Sequence, residues 1–307
     1  MPILEVENLS VSFKQYTVGL KYKKSTVISS LDVTMEEGEI LVVVGASGSG
    51  KSLLAHAILG ILPSNAITSG VIKYAGEELT PARQRVLRGS EIALIPQSVN
   101  YLDPLMRVGS QVRTSVKNGN AQAKQREVFN RYHLKTEVEK MYPFQLSGGM
   151  ARRTLVATAM VSGARVIIAD EPTPGLDSAV ISEALNHLKE FADNGCAVML
   201  ITHDIESALK IADKIAVFYA GTTVEISPVE HFSGKGEQLR HPYSKALWRA
   251  LPQNDFIPIA GSQPHPNQLP SGCLFAPRCE MAAPDCEKVR PVMRNLRNGM
   301  VRCNHAT

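Results

Sequence analysis

The sequence has no long uninterrupted run of apolar residues, although 44% of its 307 residues are hydrophobic. A membrane-spanning helix needs about 20 consecutive apolar residues, so we expect no transmembrane segment. The N-terminus also lacks the basic start and long apolar core of a secretory signal peptide. Together these two absences predict a cytosolic protein that contacts membranes only through its partners.

A strong excess of charge of one sign is also missing. The 33 Lys and Arg residues are nearly balanced by 29 Asp and Glu residues, which leaves a net charge of +4. That charge is too small to indicate a nucleic-acid-binding protein. The five cysteines are unevenly placed: Cys196 stands alone beside an apolar stretch, and the others lie in the last 35 residues. The length suits one large domain with a smaller addition.

Residues 45–52 have the sequence Gly-Ala-Ser-Gly-Ser-Gly-Lys-Ser and match the phosphate-loop pattern GxxxxGK[ST]. The apolar residues 40–44 before them predict a buried strand, and residues 53–59 predict a helix. In that setting the glycines allow backbone N–H groups to point at a phosphate, and the helix N-terminus adds partial positive charge. We expect Lys51 to reach the β- and γ-phosphates and the Ser52 hydroxyl to hold Mg²⁺. The predicted nucleotide-binding residues of this loop are Gly45, Ala46, Ser47, Gly48, Ser49, Gly50, Lys51 and Ser52.

Two carboxylates, Asp170 and Glu171, follow the apolar residues 166–169. The carboxyl end of a buried strand is where α/β sheets bind ligands. We therefore expect Asp170 to hold Mg²⁺ through water and Glu171 to act as the general base that activates a water molecule. The alternative is that both acids only cap the turn before Pro172. His203 follows the next apolar strand and is a candidate contact for a γ-phosphate.

Ser147, Gly148 and Gly149 precede a predicted helix at residues 151–161 and form a second candidate anion site. Simple helix capping is the alternative, but a single glycine would be enough for that. Phe13, in a predicted N-terminal strand, is a candidate for stacking on an adenine ring. Tyr16 and Tyr22 are rivals for this role, and a core position for Phe13 remains equally open.

In order and spacing, these motifs resemble the nucleotide-binding subunits of ATP-binding cassette (ABC) transporters over about residues 3–230. The resemblance implies an α/β fold of the P-loop NTPase class, with a RecA-like core, an antiparallel β subdomain and a helical subdomain at about residues 98–160. It implies that residues 1–230 form an ATPase domain that uses ATP and Mg²⁺.

The same resemblance implies further roles for individual residues. Gln97 would sense Mg²⁺, take part in catalysis and contact a membrane subunit. Residues 146–150 would clasp the ATP that is bound by an opposing subunit. Asp177 would lie in the loop that crosses the dimer interface, and His203 would be the switch histidine.

Partners and localisation also follow from the resemblance. Two cassettes would sandwich ATP head to tail, and in this branch the second ATPase subunit is commonly a different chain, so we expect a heterodimer. Two membrane permease subunits would follow its closure, and an extracellular substrate-binding protein would act indirectly. The chain would then lie at the cytoplasmic face of the plasma membrane as a peripheral subunit.

Residues 241–247, His-Pro-Tyr-Ser-Lys-Ala-Leu, resemble the C-terminal element of oligopeptide, dipeptide and nickel importer ATPases. Residues 101–104, Tyr-Leu-Asp-Pro, fit the same branch. We therefore assign residues 231–307 to a C-terminal region of this type and expect peptide as the cargo. Nickel or a metal chelate is the alternative cargo. A non-transport ABC ATPase is more remote, since chromosome-maintenance ATPases separate the two ATP motifs by a long coiled coil and no sustained heptads occur here.

The tail combines a proline-rich linker, residues 251–272, with four cysteines. Five prolines predict that the linker is an extended tether. Clustered cysteines in a cytosolic protein indicate metal ligands more often than disulfides, and thiolates suit zinc or an iron–sulfur cluster. No CxxC pair is present, which counts against a zinc ribbon. The resemblance favours a [4Fe–4S] cluster, with Zn²⁺ as the alternative and free thiols still open. The candidate ligands are Cys273, Cys279, Cys286 and Cys303.

Overall fold

The computed structural model describes residues 1–16, 22–173 and 178–307. The chain divides into two compact units. Unit 1 consists of Met1–Glu36, Ile40–Leu79 and His203–Thr307, and unit 2 consists of Glu37–Glu39 and Thr80–Thr202.

Both units contain strands and helices, as an α/β protein should. The strands are β1 Leu4–Tyr16, β2 Tyr22–Met35, β3 Ile40–Gly45, β4 Ala66–Tyr74, β5 Glu77–Glu78, β6 Ile92–Ile95, β7 Val166–Asp170, β8 Ala197–Ile201, β9 Lys214–Tyr219, β10 Thr222–Pro228, β11 Arg294–Asn295 and β12 Met300–Val301. The α-helices are α1 Lys51–Leu59, α2 Pro81–Leu87, α3 Val108–Thr114, α4 Ala121–Arg131, α5 Gly148–Ser162, α6 Ser178–Asp193, α7 Ile205–Leu209, α8 Pro242–Arg249 and α9 Pro284–Lys288.

Unit 1 contains an antiparallel sheet in the order β2-β1-β4-β5. Alternate residues of β1 are buried, which is the pattern of a strand with one face on the core. The polar, lysine-rich stretch that includes Lys21, Lys23 and Lys24 predicts a hairpin loop. Lys21 lies outside the described residues, and for Lys23 and Lys24 the prediction is wrong. Both lysines lie in β2 and pair with Gln15 and Lys14. Their side chains are exposed, so the extended backbone can continue without burying charge.

Unit 1 also contains the strand that leads into the phosphate loop. β3 is buried along nearly its whole length and runs parallel to β9, while β10 pairs antiparallel with β9. The two short tail strands extend this arrangement, since β12 pairs with both β10 and β11. The end of the chain is thereby hydrogen-bonded into the body of unit 1.

Unit 2 has three parallel strands in the order β6-β7-β8, and all residues of β7 and β8 are buried. Helices α3, α4 and α5 enclose an apolar core that includes Val112, Phe129 and Ala157. The sequence predicts that α4 continues to Tyr142, but the helix ends at Arg131. The reason is local: Tyr132 is fully buried and His133 adopts a left-handed backbone with φ of 51°.

Within the described ranges, no helix combines the length and the apolar character that crossing a membrane requires.

Candidate nucleotide-binding site and cysteine pocket

The phosphate loop has the backbone geometry that its sequence predicts. Gly45, Gly48 and Gly50 all have positive φ, and Gly50 is the left-handed N-cap of α1. A Cβ atom at Gly45 would lie only 2.3 Å from the Phe218 carbonyl oxygen, so no side chain fits there. The first N–H groups of a helix have no intrahelical acceptor, which leaves the start of α1 able to bind an anion.

Lys51 is the first residue of α1 and is largely buried. Its Nζ donates hydrogen bonds to the carbonyl oxygens of Gly45 at 2.9 Å and Ala46 at 3.3 Å. The ammonium group is therefore held directly over the loop. The hydroxyl of Ser49, within the same loop, is buried and has no hydrogen-bond partner among the described residues. A charged group and an unsatisfied polar group in one glycine-lined loop fit a phosphate ligand.

The acid pair lies at the end of β7, as predicted. Asp170 is the last residue of the strand and is 5% exposed. Glu171 has a left-handed backbone with φ of 46°, and its N–H donates to the Ile201 carbonyl oxygen at 2.8 Å. Non-glycine residues in this conformation carry a strain of about 1 kcal/mol and are enriched at functional sites.

Arg152 holds the segment that follows this acid pair, a role that the sequence did not reveal. Its Nη1 donates to the Pro172 carbonyl oxygen at 2.8 Å, which ties α5 to the residue after Glu171. Arg152 and Pro172 are separated by 20 positions. Two ordinary arginines, Arg152 and Arg153, follow one another here, and nothing in the sequence distinguishes the one that makes this contact.

The Ser147–Gly149 segment begins α5, three residues earlier than the sequence predicts for the helix. The Ser147 hydroxyl accepts a hydrogen bond from the Met150 N–H at 3.3 Å, so Ser147 is the N-cap. Gly148 and Gly149 have ordinary helical φ values, and an added Cβ at either would meet no atom within 4 Å. The fold of this chain therefore does not require either glycine, which fits the close approach of an external group.

The remaining candidates are distributed between the two units. Unit 1 holds the phosphate loop, the half-buried Phe13 and the exposed His203, whereas unit 2 holds the exposed Gln97 with the acid pair and the Ser147–Gly149 segment. The rival Tyr22 is exposed and lies under the ammonium of Lys14 at 5.6 Å. The prediction for Asp177 falls outside the described residues, as does the side chain of Tyr16.

The structure brings the four tail cysteines together. Their side chains line one pocket in unit 1, here called the cysteine pocket, and all are free thiols. The carbonyl oxygen of Cys286 accepts the N–H of Cys273 at 2.7 Å, which pins two of the cysteine segments together. Gly272 allows this contact, because a Cβ there would lie 2.2 Å from the same oxygen. The four residues are Cys273, Cys279, Cys286 and Cys303.

Burial raises the pKa of the Cys273, Cys279 and Cys303 thiols, and the neighbouring sulfurs add to the effect. Backbone N–H groups oppose it by donating to the sulfurs, among them those of Phe275 and Ala276 to Cys273. Amides that point at buried sulfurs favour the thiolate, the form that binds metals. A mixed group also occurs beside the pocket: ligand atoms of Asp285, Cys286 and His305 lie within 4.8 Å of one another.

Comparison with known proteins places these features in a family. A family model described as "ABC transporter" matches residues 28–174, and one described as "Oligopeptide/dipeptide transporter, C-terminal region" matches residues 224–286. The chain is 32% identical over 323 residues to the oligopeptide transport ATP-binding protein OppD of Haemophilus influenzae, covering 98% of this chain and 96% of that protein. It is 33% identical over 308 residues to OppD of Salmonella typhimurium, covering 94% of this chain and 90% of that one.

A solved structure gives the same fold. The chain resembles a dimeric ATP-binding cassette in a post-hydrolysis state with ADP and Pi, with a TM-score of 0.64 and 23% identity over 74% of this chain and 98% of that one. With the phosphate loop at the end of β3 and the parallel strands of both units, this likeness identifies the P-loop NTPase fold of an ABC cassette. The chain belongs to the ATP-binding subunits of ABC transporters, in the group that carries the oligopeptide/dipeptide transporter C-terminal region.

Proposed function

We propose that this protein is the ATP-hydrolysing subunit of a membrane importer that takes up oligopeptides or dipeptides. The observation that carries the proposal is the combination, over nearly the full length, of an ABC cassette with the C-terminal region of peptide transporters. The relatives named for oligopeptide transport support peptide as the cargo.

In the proposed mechanism, each of the residues described above has its own role. The phosphate loop binds the β- and γ-phosphates, with Lys51 neutralising their charge. Ser52 and Asp170 would hold Mg²⁺, and Gln97 would respond to it. Glu171 accepts a proton from the attacking water, and His203 contacts the γ-phosphate. When bound, Mg²⁺ would supply positive charge that neutralises the phosphates.

The site is completed by a second cassette. This chain has one phosphate loop and one Ser147–Gly149 segment, and in this mechanism the two segments bind two different ATP molecules. We propose that a second ATPase chain contributes the opposing segment and that Asp177 belongs to the interface. ATP then favours the closed dimer through its higher affinity for that state, and hydrolysis releases it. Two permease subunits would follow the closure of the ATPase dimer at the cytoplasmic face of the membrane. In this chain, residues 1–230 would form the ATPase domain and residues 231–307 the C-terminal region.

The cysteine pocket would hold a [4Fe–4S] cluster, with Zn²⁺ as the alternative. Four cysteines that line one pocket offer the thiolate ligands that either metal takes. A bound cluster would supply a cross-link between the cysteine segments and a one-electron redox centre.

Cargo is tested by reconstituting the complete importer in proteoliposomes and measuring ATP-dependent uptake. Radiolabelled di- and oligopeptides are compared with ⁶³Ni²⁺, free and chelated. We expect peptide uptake that stops when ATP is omitted. ATP-dependent nickel uptake without peptide uptake would contradict the proposed cargo while leaving the ATPase assignment intact.

Metal content is tested on protein purified without oxygen. We expect about four irons and four sulfides per chain and a broad visible absorption band. Cys279→Ser should lose the iron, whereas the matched control Cys196→Ser, outside the pocket, should keep it. One zinc and no iron in the wild type would contradict the cluster and establish the alternative.

A further inference from the structure

A cavity of about 300 Å³ lies beside α8 in unit 1, and we call it the α8 cavity. Its volume falls at the lower end of the range of small-molecule binding sites, about 300–1,000 Å³. The lining residues come from α8, from residues 257–260 and from residues 275–281. No residue of the phosphate loop and none of the four tail cysteines is among them. The α8 cavity is therefore a space that neither the ATP site nor the cysteine pocket explains.

One side of the α8 cavity is a single face of α8. Pro242, Lys245 and Arg249 line it, and their spacings of three and four positions place them on one side of the helix. The opposite side of α8 is buried and includes Trp248, whose Nε1–H donates to the Gly234 carbonyl oxygen at 3.1 Å. The wall that carries Lys245 is thus held in place by the buried face of the same helix.

The facing side of the α8 cavity is mainly apolar. Ile257 and Met281 line it and are 47% and 53% exposed, whereas Phe275 is buried. The Ile257 N–H donates to the Arg249 carbonyl oxygen at 3.2 Å, which ties residues 257–260 to the end of α8. Large apolar side chains that are exposed around a cavity leave water when an apolar ligand covers them, and this burial favours binding. The lining therefore suits a ligand with an apolar body.

Arg278 contributes a positive charge that is fixed in position. Its Nε donates to the Ala260 carbonyl oxygen at 2.7 Å, and its Nη2 donates to that of Ile259 at 3.1 Å. Its Nη1 donates to the Tyr219 hydroxyl oxygen at 3.2 Å, and its guanidinium lies 5.9 Å from the Phe275 ring centroid. These acceptors are all neutral, and Arg278 forms no ion pair with an acid of the described residues. Since a guanidinium carries five N–H groups, two of them remain for a ligand.

The other charged groups leave the α8 cavity with a net positive charge. Lys245 is half-buried and forms no ion pair with any acid in the described ranges. Arg249 is neutralised by Asp255, whose Oδ2 lies 2.8 Å from the Arg249 Nε. Among the residues that the structure describes, Glu280 is the one acid on the lining, and it is exposed. Two cations without acidic partners, Lys245 and Arg278, therefore line a mainly apolar space, and this arrangement attracts an anion.

We propose that the α8 cavity binds a small organic carboxylate with an apolar body. The carboxylate pairs with Lys245 and with the remaining N–H groups of Arg278, and the apolar body covers Ile257 and Met281. A carboxylate carries the single negative charge that balances the lining, whereas a phosphate monoester carries about two. A short fatty acid and the C-terminal residue of an apolar peptide both offer this chemistry. The proposal rests on the cavity alone and is independent of the cargo and the metal proposed above.

Isothermal titration calorimetry on the full chain tests the requirement for a carboxylate. Octanoate is compared with octanamide, and N-acetyl-leucyl-leucine is compared with its C-terminal amide. We expect at least one of the two acids to bind at one site per chain, and its amide to bind at least about tenfold more weakly. Binding of octanoate alone would support a fatty acid as the ligand, and binding of the dipeptide alone would support a peptide C-terminus. If neither acid binds at millimolar concentrations, or if the amides bind as tightly as the acids, the proposal is wrong.

Lys245→Met tests whether the bound acid lies in the α8 cavity. The substitution removes the ammonium group and keeps a long, flexible side chain, so we expect the affinity for the acid to fall about tenfold. Lys235→Met is the matched control, because Lys235 is exposed in unit 1 and does not line the cavity. It should bind the acid as the wild type does. Both variants should keep the wild-type ATP affinity, which reports that unit 1 is folded. Unchanged affinity for the acid in Lys245→Met would overturn the proposal.

A second pair of variants covers the case in which Lys245→Met does not fold. Ile257 is largely exposed, so both Ile257→Asp and Ile257→Asn should keep the wild-type melting temperature. The two side chains have nearly the same shape, but the aspartate adds a negative charge that repels the acid and competes for Lys245 and Arg278. We expect Ile257→Asp to bind the acid at least about tenfold more weakly than Ile257→Asn does. Equal affinities of these two variants would place the acid outside the α8 cavity and contradict the proposal.

Discussion

At the scale of single residues, the most consequential contact is a buried ion pair that could not be predicted from the sequence. The side chains of Arg240 and Glu225 are each 0% exposed, and Nε of Arg240 donates to Oε1 of Glu225 at 3.0 Å. Glu225 also accepts the backbone N–H of His241 at 2.8 Å. Arg240 further donates to the carbonyl oxygens of Leu296 and Arg297. One ion pair therefore joins β10, the residues before α8 and the turn of the tail hairpin.

This ion pair gives a prediction for stability and its pH dependence. Burial alone raises the pKa of Glu225, but hydrogen bonds from the His241 N–H and from the backbone N–H and side chain of Arg240 outweigh it and lower the pKa below its usual 4.5. The pair therefore stabilises the folded state fully above the unfolded-state pKa, and the contribution is lost as pH falls through the lower folded-state pKa. Glu225→Gln should cost about 3 kcal/mol at pH 7, because a buried arginine loses its charged partner.

The measurement is urea unfolding of wild type and Glu225→Gln at pH 7 and at acid pH. The difference between the two proteins should shrink as pH falls. Glu7→Gln is the control, since Glu7 pairs with Lys73 at 2.7 Å on the surface and should matter little. A difference that is equal at both pH values would contradict the role of the Glu225 charge.

At the scale of secondary-structure elements, the phosphate loop could be predicted because strand, glycine turn and helix are adjacent in sequence. The same holds for Ser147 as the N-cap of α5 and for Asp170 at the end of β7. The tail hairpin could not be predicted, because β11 and β12 have two residues each and no periodicity. β12 pairs with β10, more than 70 positions earlier, and β11 pairs with β12. The β10 residue opposite β12 is Glu225, and a glutamate would be expected on the surface.

Gly45 provides a prediction at this scale. Gly45→Ala should lower ATP affinity at least tenfold and reduce stability, because the new Cβ would meet the Phe218 carbonyl oxygen. Gly163→Ala is the matched control, since Gly163 also has positive φ but an added Cβ meets nothing within 4 Å. The control should cost about 1 kcal/mol in unfolding and leave ATP binding unchanged. Equal behaviour of the two variants in calorimetry and thermal unfolding would argue against a close fit at Gly45.

At the scale of the whole molecule, the ATP motifs could be predicted from sequence far better than the contacts between them. Order and spacing were enough to indicate an ABC cassette, because each motif carries its own local chemistry. What supports the motifs lies in long-range contacts: Arg152 on Pro172, the Phe218 carbonyl oxygen against Gly45 and the four cysteines around one pocket. These depend on which buried surfaces meet, and hydrophobic periodicity does not encode that.

The measurement that tests the central claim most directly is ATP binding and hydrolysis by Glu171→Gln in the assembled complex. An amide cannot accept the proton of the attacking water, so we expect ATP affinity equal to that of the wild type. Phosphate release from the site built on this chain should fall at least a hundredfold. Wild-type phosphate release at that site, with ATP bound as before, would contradict the assignment of Glu171 and with it the proposed mechanism of this ATPase.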